Sequence, residues 1–274
     1  MTHSRNYRTL RHLILPALAG SALAALAFTP TFGAEPVQAN VPAQSISAPR
    51  VDVPKADVPR PDDVKTGEIN EPAPHKEANP STFTGTAVII ESKTFEHQRF
   101  DNTISDQNSF IGKNKATITI DSSVFDKTGN TSNDDNSNFR GQNAVVLGIE
   151  GSQTSIKNSN ITSSSIGSNA VFATDEGSII NVENTNIHTK GDSSRGLDAT
   201  YKGTVNGKNL TITTEGAHSA TLATDRGGGT ITAEAAKLIT SGEGSPVIYS
   251  TGNIMVNNVN GIANNSEIGV VEGK

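Results

Sequence analysis

Asp175 and Asp225 are the residues of this chain best suited by type and spacing to do chemistry. Each precedes a glycine-containing turn, at what reads as the same position in two units of a repeat with one further unit between them. Strands about 4.8 Å apart would then set the two carboxylates very roughly 10 Å apart. That is the upper edge of the about 6.5–9.5 Å at which an acid–base pair hydrolyses a glycosidic bond with inversion. Tyr201 falls between them, Arg226 is adjacent, and His218, Arg195 and Asp198 add polar groups. The plainer reading makes both Asp solvated turn residues ahead of a glycine. It assigns no catalytic residue and is the one adopted: the chain is expected not to be an enzyme.

Other ligand-binding chemistries are weaker still. Asn133-Asp134-Asp135-Asn136 is rich in the oxygen ligands that calcium prefers. It lacks the Asp-x-Asp-x-Asp-Gly spacing and lies in a long polar loop, Lys127 to Asn138, expected to be a disordered insertion. The six histidines show no i, i+4 pair that would hold zinc, and there is no cysteine for a thiolate site or a disulfide. The Thr-x-Thr pairs at 117/119, 211/213 and 230/232 do not repeat at one place in the period, so no flat ice-binding array forms. Gly227-Gly228-Gly229 is followed by no helix and reads as a corner rather than a phosphate cradle. Neither a metal nor a cofactor is expected.

The elements that would carry these residues form a repeat. A short block recurs as Ala144-Val145-Val146-Leu147, Ala170-Val171-Phe172-Ala173, Gly196-Leu197-Asp198-Ala199, Ala220-Thr221-Leu222-Ala223 and Pro246-Val247-Ile248-Tyr249, with starts 26, 26, 24 and 26 positions apart. A fixed period of this length is the signature of a solenoid. Short β-branched runs such as Thr117-Ile118-Thr119-Ile120 and Ile179-Ile180-Asn181-Val182 are bounded by turn residues, and no long helical period appears. Two or three strands per unit, with no crossover helix, make a coil of a parallel β-helix. Asn158 and Asn184 follow apolar strand residues at near-equal spacing, and Asn209 and Asn258 occupy similar places. Asn tolerates the left-handed conformation of a sharp corner, and stacked amides can bond along the axis.

Composition bounds the rest. Arg5, Arg8 and Arg11 precede an apolar run from Leu13 to Phe28, and Val37-Gln38-Ala39 suits a cleavage site, so residues 1–39 read as a secretory signal. The alternative is an uncleaved signal anchor. Removing the signal leaves 27 acidic and 19 basic residues, a net charge of −8, which argues against nucleic acid. No later stretch could span a bilayer as a helix. Nine of the twelve prolines lie between Pro36 and Pro80, so residues 40–82 read as an extended linker, a stalk or a disordered leader. The solenoid is expected over residues 83–274, as about seven or eight coils of roughly 23–28 residues.

Ala-Val-Phe-Ala-Thr-Asp from Ala170 and Ser-Arg-Gly-Leu-Asp-Ala-Thr from Ser194 resemble coils of the right-handed parallel β-helix superfamily, the pectate-lyase-like folds and the passenger domains of bacterial autotransporters and adhesins. The resemblance implies a right-handed coil and a secreted or surface role, mostly adhesin-like. The superfamily's hydrolase elements Asn-Thr-Asp, Gly-His-Gly and Arg-Ile-Lys are absent: Gly216-Ala217-His218-Ser219 is not Gly-His-Gly.

Two strand registers are open. In the favoured one Val145, Val171, Leu197, Thr221 and Val247 point inward, which leaves Val146, Phe172, Asp198, Leu222 and Ile248 as an exposed, mostly apolar row that would contact a glycan or a surface protein. In the other that row is core, and Asp198 needs a partner, with Arg195 the obvious candidate. Gly269-Val270-Val271 reads as the opening of another coil without a polar cap, so the expectation is either a truncated chain or another polypeptide that covers this edge. The expectation is therefore an exported, adhesin-like binding module; the alternative is a carbohydrate-active enzyme, a polysaccharide lyase or hydrolase, using Asp175 and Asp225.

Overall fold

The computed structural model describes residues 77–272; the expected signal and the linker up to residue 76 lie outside them. The described chain is a parallel β-solenoid of about seven turns, with one short helix. Every strand pairs in parallel with its counterpart one coil on. The first strand of each coil joins an eight-stranded sheet running from Gly85–Ile89 to Gly269–Val271, and the remaining legs form a twelve-stranded sheet that bends between them.

The interior is filled by rows of like residues, because a strand's alternate side chains point the same way and each coil repeats the last. Phe125, Ile161, Ile187, Ile212 and Leu238 stand in register, all buried. Each such aliphatic contributes about 1.5–3 kcal/mol by leaving water. Where Gly207 interrupts the Ile156–Val182 row, the space is taken by its neighbours: a Cβ there would lie 2.6 Å from Leu210 Cδ1. The first coils hold an aromatic plug in which Phe95, Phe100, Phe110 and Phe125 meet edge-on or stacked, with ring centroids 4.9–6.2 Å apart.

The bend has one geometry in every coil. His97, Ser122, Asn158, Asn184, Asn209, Ala235 and Asn258 all have φ between 50° and 52°. The corner amides donate to the carbonyl one coil on, as Asn158 does to Glu183 and Asn184 to Lys208. The expected asparagine ladder is present: Asn184 Nδ2 donates to Asn158 Oδ1 (3.3 Å) and Asn209 Nδ2 to Asn184 Oδ1 (3.1 Å), before Ala235 breaks it. Asn184→Ala should cost about 1–2 kcal/mol, because alanine strains at this φ and both amide bonds go. Asn184→Gly should cost less. Urea midpoints of the two variants check the order.

A second ladder was not anticipated. The backbone N–H groups of Ser168, Ser194 and Ser219 donate to the hydroxyls of Ser194, Ser219 and Ser245, each at 2.9 Å and all buried. The spacing of 26, 25 and 26 was its signal in the sequence. These hydroxyls satisfy turn amides that would otherwise be orphaned away from water.

Candidate functional site

The short strands of the eight-stranded sheet fix which residues could meet a ligand. Val171 pairs with Val146 and Leu197, Phe172 with Leu147 and Asp198, and Leu222 with Leu197 and Ile248. One row is therefore Phe110, Val146, Val171, Leu197, Leu222 and Ile248, which packs in the main core. The next is Ile111, Leu147, Phe172, Asp198, Ala223 and Tyr249, on the opposite side of the sheet. The expected row of Val146, Phe172, Asp198, Leu222 and Ile248 is thus corrected. Phe172 and Asp198 do turn outward, whereas Val146, Leu222 and Ile248 belong to the inward row. The expected alignment was right for the second and third blocks and slipped by one residue in the others, which moves a side chain to the other face. The expected exposure is corrected too: Val146, Phe172, Asp198 and Leu222 are fully buried and Ile248 partly so.

The outward apolar residues are buried because the chain covers them. Ile111, Leu147, Ile149 and Phe172 form a second cluster with Ala144 and Phe83, against Ala78. The cover has two pieces. One is the 77–83 segment, with a 3-10 turn at Pro80–Thr82, on residues composition had assigned to the linker and the first solenoid residue. The other is the insertion after Lys127, expected to be disordered, which carries the helix Asp134–Arg140. Asn133 caps that helix by accepting from Asn136 N–H, Asp134 and Asp135 favour its positive end, and Gly141 closes it at φ 75°. Gly141 is required there: a Cβ would lie 2.6 Å from Leu147 and 2.7 Å from Phe172. The oxygen-rich string considered for calcium therefore does helix-capping work, and Asn136 Oδ1 accepts from Ala78 N–H (3.1 Å). Among the described residues no group of three or more His, Asp or Glu is gathered as for a metal. Seven residues are too few to hold a helix alone, so contacts must hold it. Lys127, fully buried, anchors the insertion by donating to Ile104 O (2.9 Å) and Gly129 O (2.7 Å). Burial pushes its ammonium down to about 8.

Glu77 latches this cover. It accepts from Arg140 Nε (2.8 Å), Tyr201 OH (2.6 Å) and Arg226 Nη1 (2.6 Å). Arg140 lies over the Tyr201 ring and Arg226 over Phe139, each 3.7 Å from the centroid. Burial raises the Glu77 carboxyl, but the bonds from Tyr201, Arg226 and Arg140 outweigh it and hold the group below its ordinary 4.5. A carboxylate held low stabilises the fold above its unfolded pKa, and that contribution is lost as pH falls through the folded value. The cover should therefore loosen below about pH 4.5, and Glu77→Gln should loosen it at neutral pH. Protection factors at the 137–140 amides, corrected for the intrinsic exchange rate at each pH and lower in the variant at pH 7 and in the wild type in acid than in the wild type at pH 7, check this.

Beyond the cover the outward row becomes charged. Arg195 Nη1 bonds Asp198 Oδ2 (2.8 Å) and its Nη2 bonds Asp225 Oδ2 (3.3 Å). Arg195 is the partner that a buried Asp198 required. Burial pushes the Asp198 carboxyl up to about 6 against the pull of Arg195, and burial also raises Asp225. Asp198 Oδ1 has no hydrogen-bond partner among the described residues. Asp175 is apart, with Arg140 Nη1 at 4.0 Å. The two candidate catalytic carboxylates do not share a row. Ala173, Ala199 and Thr224 are in register, so Asp225 stands in the Thr174–Thr200 row, and Asp175 stands one residue further on with Tyr201 and Arg226.

The other outward surface with chemistry is on the twelve-stranded sheet. Asn206 Nδ2 donates to Asn181 Oδ1 (2.9 Å), and Thr232 Oγ1 donates to Asn206 Oδ1 (2.8 Å). Beside this polar row Asp121, Lys157, Glu183, Lys208 and Glu234 stand in register with alternating sign. Lys157 pairs with Glu183 (3.2 Å) and Lys208 with Glu234 (3.7 Å). Ser155, Asn181, Asn206, Thr232 and Met255, with Lys157, Glu183, Lys208 and Glu234, line an open groove of about 550 Å³ across five strands. Sequence reasoning missed it, although the alternation of sign at the repeat spacing was there to be read. Among the described residues no helix is long and apolar enough to cross a membrane. No protein-family model matches the chain, and neither a curated protein nor a solved structure matches it.

Proposed function

We propose that this protein is an exported, non-catalytic, adhesin-like module that binds a linear glycan along the groove of its twelve-stranded sheet. The observation that carries the reading is the row Ser155, Asn181, Asn206 and Thr232, flanked by charges of alternating sign. It offers a donor and acceptor set that repeats about every 4.8 Å along the solenoid axis, suited to a polymer with repeating hydroxyls. Charges that neutralise one another leave the groove polar without a strong field, which favours an uncharged or weakly charged chain. The offset of Asp175 from Asp225, and the engagement of Asp225 by Arg195, weigh against the lyase or hydrolase reading.

Binding of the chain to a panel of polysaccharides tests this. Asn206→Arg, which blocks the middle of the groove on an outward-facing, half-buried row, should reduce polymer binding at least about tenfold with an unchanged β-rich circular dichroism spectrum. Release of reducing ends or unsaturated products, abolished by Asp225→Asn, would overturn the non-catalytic reading. Export is tested separately by sequencing the N-terminus of protein recovered from the medium or surface of a secreting host, where cleavage after Ala39 is the expected result.

A further inference from the structure

A cavity of about 220 Å³ opens on the outward side of the eight-stranded sheet, lined by Arg195, His218, Ala220, Gly244, Pro246 and Tyr249. It lies past the edge of the cover, whose contact on this side is Asn138 O accepting from Arg195 Nη1 (3.2 Å). Three features make it a built site rather than a dent. A guanidinium has five N–H donors. Arg195 spends three on Asn138, Asp198 and Asp225, and among the described residues its Nε–H and one Nη2 hydrogen make no bond. The two carboxylates hold its plane, so these donors are fixed rather than mobile. The His218 ring likewise has no hydrogen-bond partner among the described residues. It lies against Gly244, where a Cβ would come within 3.0 Å of Nδ1 and where φ is 57°. Tyr249 adds an aromatic face, its hydroxyl fixed on Glu272 Oε2 (2.9 Å).

Size and charge select the ligand. The volume is below the about 300–1,000 Å³ of sites for drug-sized ligands, so one ring fits and an oligomer does not. Arg195 is the one formally charged side chain in the lining, and behind it Asp198 and Asp225 both engage its guanidinium and outweigh its charge, so an anionic ligand gains no net attraction. Unspent N–H donors, an imidazole and apolar faces at Pro246 and Tyr249 together fit hydroxyls on a saturated ring. We infer that this cavity is a subsite for a single neutral hexose unit, separate from the groove and selective against uronates. The inference rests on the proposed function in taking saccharide as the ligand class.

The test uses the full chain labelled with ¹³C-tyrosine. Its three tyrosines are Tyr7, Tyr201 and Tyr249, so ring resonances can be assigned with Tyr249→Phe. Glucose, galactose, mannose and galacturonate are titrated in turn. At least one neutral hexose should move the Tyr249 signals saturably, with a Kd of about 1–10 mM for so small a ligand, while Tyr201 stays still. Galacturonate should bind at least about tenfold more weakly. His218→Ala, at an exposed ring with no partner to lose, should weaken hexose binding about fivefold with unchanged circular dichroism. No saturable Tyr249 shift with any neutral hexose, or an equal response to galacturonate, overturns the inference. Asn206→Arg separates the two readings. Polymer binding with a silent Tyr249 sinks the cavity alone, a hexose response without polymer binding sinks the groove alone, and loss of both sinks the glycan reading.

Discussion

Phe172→Asp is expected to destroy the cooperative fold or to leave it barely stable at 25 °C. Phe172 is fully buried between the sheet and its cover, packed with Leu147 and against the turn at Gly141. Truncating such a residue to alanine costs about 3–5 kcal/mol. A carboxylate adds the cost of an unpaired buried charge, and it stands one rung from Asp198, itself a carboxylate. Domains of this kind hold about 5–15 kcal/mol in all. Urea denaturation followed by far-ultraviolet circular dichroism measures the loss. Phe172→Leu, which keeps most of the volume, should stay within about 1.5 kcal/mol of the wild type. A Phe172→Asp protein with an unchanged midpoint would mean that the cover does not close over this row in solution.

Arg195→Met carries the second large effect. It removes the cation shared by Asp198, which is fully buried, and Asp225, which is partly buried. Breaking a buried pair from one side costs about 3–5 kcal/mol, because the remaining charge is left without compensation. Asp198→Asn in the same chain should recover a large part of that loss, since the uncompensated charge is then gone. The pH dependence has a defined sign. Asp198 is raised from 3.8 to about 6, so in the wild type the folded state holds its proton where the unfolded state has lost it. Its contribution to stability therefore falls as pH rises from about 4 to about 6, by about 3 kcal/mol at most. Without Arg195 the carboxyl rises further, so Arg195→Met should be least destabilised in acid. Midpoints of the four proteins of the cycle at pH 4.5 and 7.5 test both statements.

Much of the architecture was legible because the fold is a repeat. A period near 26, strand-prone runs and asparagines at the corners each follow from what one coil must do to stack on the next, and the Asn158–Asn184–Asn209 ladder is that logic in atoms. Pairing of Val171 with Leu197 sets successive blocks on neighbouring rungs, as the period requires. Register was harder, because coils of 25 and 26 residues alternate and blocks such as Ala220-Thr221-Leu222-Ala223 look equally apolar in either phase. Packing of Leu222 against Leu197 and Ile248 decides it in the structure. The cover was not legible at all. Its seven-residue helix has no sustained period, and its residues are polar because they cap, latch and bond to distant coils. Its one local signal, Asn133 ahead of Asp134 and Asp135 with Gly141 at the end, reads equally as a loop.

Glu77 deserves a mechanical reading. A stack of coils in which each touches its neighbours behaves as springs in series, and tension applied at one end peels the outermost rung first. Glu77 is bonded to groups 63, 124 and 149 residues away, on the helix and on two central coils. Pulling through the residues that precede it would not reach the terminal strand Gly85–Ile89 alone. The load divides among three attachment points on the helix and two central coils and shears them together, so the solenoid should resist force applied at Glu77 far better than force applied at its other end.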